Sequence, residues 1–149
     1  MKKCLLFVAL SVCVWGCVGE TTPALIPNPD PSLRKNSAQL SADAVRREYE
    51  LNAPRGGTAP ARADYNLMSR NFELANLSGQ DWANVEVWVN QQYVVFVPKM
   101  EQNNAKRLDF KMFYDRDGKH FDTEGGKNPL VSLEIYKDGQ MWAVPATLE

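Results

Sequence analysis

The sequence predicts a mainly β protein, an antiparallel β-sandwich preceded by a short helix. Three observations carry that expectation. From Tyr65 onward apolar residues recur with a period of two, the spacing that puts alternate side chains on one face of a strand. Turn signals, Asp117-Gly118 and Asp138-Gly139 among them, cut that region into short segments of strand length. The one stretch with helix character, residues 41–52, precedes them all.

The chain opens on Lys2 and Lys3, followed by the apolar run "CLLFVALSVCVW" and then "VWGCVGE". The run is too short to cross a bilayer comfortably, and small residues follow it at a processing site. Residues 1–16 are therefore expected to be an export signal. Cys4, Cys13 and Cys17 are the only cysteines. The rest of the chain has no thiol for a disulfide, a nucleophile or a metal, so its core alone must hold it together. Residues 17–149 carry fifteen basic against eighteen acidic side chains. That balance offers no broad positive surface for phosphates and argues against nucleic acid as a partner.

Val14, Gly16 and Cys17 match the lipobox of bacterial lipoproteins, with Trp15 bulkier than the residue usual at its position. This stretch resembles a lipoprotein signal. The resemblance implies that Cys17 becomes a diacylated N-terminus and that the membrane is a partner through that lipid. It also implies, from Val18 in place of an aspartate, sorting to the outer membrane of a double-membraned bacterium. An ordinary secretory cut after Gly19 is the rival, and it would leave no cysteine.

Residues 17–40 hold Pro23, Pro27, Pro29 and Pro31, which deny the segment a helix or a ladder strand, and read as an extended tether. Residues 41–63 read as a short helix and a loop. Ser41 is the expected cap, Asp43 suits the first turn, and Val45, Tyr49 and Leu51 form a partial apolar stripe. Such a helix is marginal unless it docks. "APRGGTAPARA" then reads as a loop.

Residues 64–149 are the expected sandwich. Phe72, Leu74 and Asn76 alternate in one strand. Leu108, Phe110, Met112 and Tyr114 share a face in another, as do Val131, Leu133 and Ile135 in a third before the Asp138-Gly139 hairpin. In "NVEVWVNQQYVVFVP" two strands flank a turn. A turn at Gln91-Gln92 sets Asn90 across from Tyr93, Val89 from Val94, Trp88 from Val95, Val87 from Phe96 and Glu86 from Val97. Whatever the register, "YVVFV" is apolar on both faces, so something covers the face that carries Trp88. The helix near residues 42–51, or the loop after it, is one cover. The other is an external partner on an exposed patch of Trp88, Tyr93, Val95 and Val97, such as an envelope protein, a peptide or a glycan.

"FELANLSGQDWANVEVWV" and "FKMFYDRDGKHF" resemble segments of the FxLYD-type domain, a small extracytoplasmic module. The resemblance implies an immunoglobulin-like sandwich with an interaction or scaffolding role. It supplies no functional residues.

Chemistry is sparsely represented. His120 is the only histidine, and Ser69, Ser78 and Ser132 have no paired base in a recognisable motif. Asp109, Asp115 and Asp117 lie along or just after one strand with no opposing carboxylate. Asp115, Asp117 and Glu124 fall at calcium-loop spacing around Gly118, but Phe113 stands where the first ligand belongs, and a hairpin turn explains the segment more simply. No enzyme, cofactor or metal is expected. The functional expectation is a lipid-anchored envelope protein with a structural or interaction role, the alternative being a carbohydrate- or peptide-binding module around Trp88.

Overall fold

A computed structural model describes residues 23–148, so the expected export signal and Cys17 lie outside the described residues. The helix, α1, spans Ser37–Val45 and begins earlier than residue 41 because Asn36 caps it. The Gln39 amide donates to Asn36 Oδ1 while the Asn36 amide donates to Gln39 Oε1, which satisfies two otherwise orphaned donors. Ser41 is therefore mid-helix. The helix buries Leu40 and Ala44, one turn apart, and leaves Val45 exposed. Beyond Arg46 the expected helix gives way to turns, closed by Leu51 N to Tyr49 O and Ala53 N to Glu50 O.

Nine strands follow: β1 (Arg55–Thr58), β2 (Ala61–Asn66), β3 (Asn71–Asn76), β4 (Trp82–Val89), β5 (Tyr93–Met100), β6 (Asn104–Asp109), β7 (Leu133–Lys137), β8 (Gln140–Ala143) and β9 (Ala146–Leu148). They form a five-stranded sheet in the order β1-β8-β7-β4-β5 and a four-stranded sheet in the order β6-β3-β2-β9. The protein is a mainly β sandwich, but its sheets are mixed rather than wholly antiparallel. β1 pairs with β8, and β2 with β9, in parallel. Both couples pass side by side from one sheet to the other at Pro60 and Pro145, where the Ala59 amide donates to Ala143 O and the Ala63 amide to Pro145 O. Proline gives the ladder no donor, so the change of sheet falls where the ladder is already interrupted.

The region read as a loop before Ala63 thus contains β1 and the start of β2. Its Gly56 serves a close approach. A Cβ there would lie 2.3 Å from the Trp142 ring. The strand expected to run through Tyr114 stops at Asp109, and Phe110–Met112 forms one 3-10 turn. That turn lets Phe110, Met112, Phe113 and Tyr114 all be buried, which strict alternation would forbid. Val131 lies outside β7 and is 80% exposed. The Asp138-Gly139 hairpin is as expected, with φ of 51° and 74° at its two central residues.

Between the sheets, Val85, Val87 and Val89 of β4 meet Val97, Val95 and Tyr93 of β5, with Ile135 and Leu133 of β7 beside them. Phe72, Leu74 and Leu108 are fully buried on the four-stranded sheet. A chain of rings links the layers: Phe72 to Phe110 at 4.9 Å, Phe110 to Phe121 at 5.2 Å, and Phe121 to Tyr93 at 5.3 Å.

The expected tether belongs to the fold from Ile26 onward. Ile26 is buried and Leu33 is 1% exposed, inside the Pro31–Leu33 3-10 turn. The Ile26 amide donates to Lys35 O at 2.9 Å, and Asn28 Nδ2 to Arg107 O of β6 at 2.8 Å. Lys106 of β6, itself buried, pairs with Asp30 and, at 2.7 Å, with Glu101. Burial alone would push the Asp30 carboxyl up, but hydrogen bonds from Lys106 and Ser32 outweigh it and hold the group below its ordinary 3.8. β5 and β6 are edge strands of the two sheets, β5 bridged only at Val94 to Tyr114, and this segment packs against both. Prolines without amide donors suit a segment that packs by side chain and joins no ladder. Leu33→Ala should cost about 2–5 kcal/mol in denaturant unfolding, as a core leucine does. A change within about 0.5 kcal/mol would return the segment to a solvated tether.

Candidate functional site

Trp88 settles what lies on the second face of β4. The hairpin turns at Asn90-Gln91, not Gln91-Gln92. Both central residues have positive φ, 53° and 59°, and the Gln92 amide donates to Val89 O. Asparagine tolerates that conformation better than glutamine, so the turn begins one residue early. The Asn90 side chain fixes it, donating to Pro129 O at 2.8 Å and accepting the Val131 and Ser132 amides. Val89 consequently faces Tyr93, Trp88 faces Val94, and Glu86 faces Phe96. A shift of one residue reverses every side chain of β5. Tyr93, Val95 and Val97 point into the core, and the outer face carries Val94 and Phe96 beside Trp88 and Glu86.

Trp88 itself is 2% exposed. The chain after α1 is its lid. The Tyr49 ring meets the indole edge to face, centroids 5.4 Å apart at 83°. The Trp88 indole N–H donates to Glu86 Oε2 at 3.1 Å. The Arg47 guanidinium lies 4.3 Å over the Phe96 ring and 3.4 Å from Glu86 Oε1. Tyr49 O–H donates to Glu134 Oε2 at 2.7 Å, and Arg55 Nη1 donates both to the Tyr49 hydroxyl at 3.0 Å and to Glu134 Oε1 at 2.9 Å. Trp88, Tyr93, Val95 and Val97 are thus all buried within the chain, and no exposed patch joins them. Their neighbour Asn90 carried the signal for the register that separates them.

Burial is the leading influence on Glu86 and pushes its carboxyl above the ordinary 4.5, against the pull of the Trp88 N–H and of Arg47. Burial and the Glu134 carboxylate likewise raise the Tyr49 hydroxyl, against Arg55.

Beside the lid a cleft of about 340 Å³ opens between residues 48–51, the turn of the β4–β5 hairpin and the turn after Tyr114. Tyr49, Leu51 and Trp88 make its apolar side. Asp115, 4% exposed, lines the cleft too, and its Oδ1 accepts the amides of Asp117 at 3.0 Å and Lys119 at 2.8 Å. Its Oδ2 has one long contact, from Gln92 Nε2 at 3.4 Å. Gly118, at φ 77°, closes the turn. The calcium-loop spacing therefore builds a turn around Asp115. Glu124 is turned away to pair with Arg70, and among the described residues no group of three or more acidic, histidine or cysteine side chains is arranged to hold a metal. Ser69 and His120 line a separate cleft, but no hydrogen bond joins them among the described residues. Ser69 Oγ accepts from Asn71, and His120 is exposed beside Tyr114.

No family model, curated protein or solved structure matches this chain. The site stands on its geometry.

Trp88→Ala should destabilise the fold by about 3–5 kcal/mol in denaturant unfolding, the cost of a buried aromatic. A loss under about 0.5 kcal/mol would mean an uncovered indole. Glu86 supplies a pH signature. A carboxyl whose folded pKa is raised contributes stability that is complete below the unfolded value and is lost as pH rises through the folded one. Relative to the wild type, Glu86→Gln should therefore gain stability on going from about pH 4 to about pH 7. A relative loss over that range would show the Arg47 pairing to outweigh burial.

Proposed function

We propose that this protein is a lipid-anchored, extracytoplasmic β-sandwich of immunoglobulin-like type, without catalytic activity, that serves a structural or interaction role in the cell envelope. The observation that carries the reading is the order of the first seventeen residues: two lysines, an apolar run too short to span a bilayer, then Gly16-Cys17. In support, every cysteine lies in that stretch, so the folded part needs no oxidant to be stable outside the cell. Among the described residues Ser69 and His120 share no hydrogen bond, Asp115 is engaged in a turn, and Glu124 is paired with Arg70.

The anchor and the fold together set a geometry. Since residues from Ile26 onward pack on the sandwich, eight residues separate Cys17 from the folded body. At ~3.1 Å per residue these reach roughly 25 Å, about a third of what a tether running to residue 40 would allow. The protein then sits close against its membrane and meets partners at that surface.

Metabolic labelling with a fatty acid tests the anchor. The wild type should take up label and Cys17→Ser should not. Label absent from both would remove the lipid from the account, and label present in both would move it off Cys17.

A further inference from the structure

We propose that the cleft beside Trp88 receives the ammonium group of a lysine side chain presented by a polypeptide partner, an inference that rests on the interaction role above and gives it a place and a chemistry. Asp115 is the reason to expect a donor. Its carboxylate is nearly fully buried, yet only Oδ1 is fully used; Oδ2 has the single long contact from Gln92. Each carboxylate oxygen can accept two donors, so Oδ2 has room for a further and shorter one. An ammonium brings three donors and a charge.

The surroundings choose a cation. Glu48, Asp115 and Asp117 line the cleft against one guanidinium, Arg116, which is paired at 3.1 Å with Glu48 at the exposed rim. Such an exposed pair is worth little and opens at little cost. An anion would meet three carboxylates. Tyr49 and Trp88 also line the cleft, and Leu51, 73% exposed, offers a flank for a methylene chain. A volume of about 340 Å³ lies at the small end of ligand sites and fits one side chain rather than a chain of sugars. A lysine, with an apolar stem and a compact charged tip, suits the exposed leucine and the carboxylates together.

The test uses the full chain in mild detergent, with the tryptophan indole and glutamine amide signals followed by NMR. The probe is Nα-acetyl-lysine N-methylamide, with Nα-acetyl-norleucine N-methylamide as the chargeless control. The lysine probe should shift the Trp88 indole and Gln92 amide signals saturably, at least about tenfold more tightly than norleucine, and more weakly as salt screens the pair. Asp117→Asn and Glu48→Gln, both exposed changes that spare the fold, should each weaken binding about two- to fivefold. A flat titration, or equal binding of both probes, would overturn the proposal. Butylammonium binding as tightly as the lysine probe would overturn the polypeptide partner in favour of a small amine. Acylation of Cys17 does not enter this readout, so a flat titration leaves the anchor to its own labelling result.

Discussion

The β4–β5 hairpin is apolar on both faces, and the rest of the molecule answers to that constraint. One face, Val85, Val87 and Val89 with Tyr93, Val95 and Val97, is covered by the four-stranded sheet in the ordinary manner of a sandwich. The other, Val94, Phe96 and Trp88, has no sheet to cover it. A strand that buries both faces needs a second layer, and here the chain supplies one from its own N-terminal side. Tyr49 lies on Trp88 and Arg47 on Phe96. The segment from Ile26 to α1 closes the neighbouring edge between β5 and β6. Polar groups tie the cover down where apolar contact ends: Glu86 beneath Arg47, and Glu134 beneath Tyr49 and Arg55.

Much of this was legible in the residues. Period-two alternation placed Phe72, Leu74, Leu133 and Ile135 in the core, and the Asp138-Gly139 turn lies where its chemistry requires. The doubly apolar "YVVFV" announced a cover without naming it. What failed was local and has identifiable causes. Asn90 adopts the left-handed conformation and starts the hairpin turn a residue early, which exchanged the two faces of β5. The reciprocal pairing of Asn36 with Gln39 fixes the start of the helix ahead of Ser41, and both residues of that capping box stand in the sequence. Prolines were read as a solvated tether when they also suit a segment that packs without laddering. Gly56, in a stretch whose composition reads as a loop, makes room for the Trp142 ring. The candidate cleft was legible only as parts. Tyr49 belongs to a helix stripe and Asp115 to a metal-like spacing in the sequence, and only the tertiary fold brings both to one cleft.

Structure and proposed role bear on each other through distance. A cover that begins at Ile26 leaves eight residues back to Cys17, so the proposed lipid there would hold the sandwich close to its membrane. The cleft lies at the seam between the cover and the hairpin, where a partner's side chain would touch both layers at once. The lid is held there by the Tyr49–Trp88 edge-to-face contact, by Arg47 over Phe96 and by the hydrogen bonds to Glu134.

Native-state hydrogen exchange, residue by residue, tests the cover most directly. The Ile26 and Leu40 amides, bonded to Lys35 O and Asn36 O, should open with free energies within about 2 kcal/mol of those in β4. Exchange of both at the rate of an unstructured peptide, while Val87 and Ile135 stay protected, would mean that the N-terminal segment is no part of the fold and that the outer face of the hairpin is covered by something else.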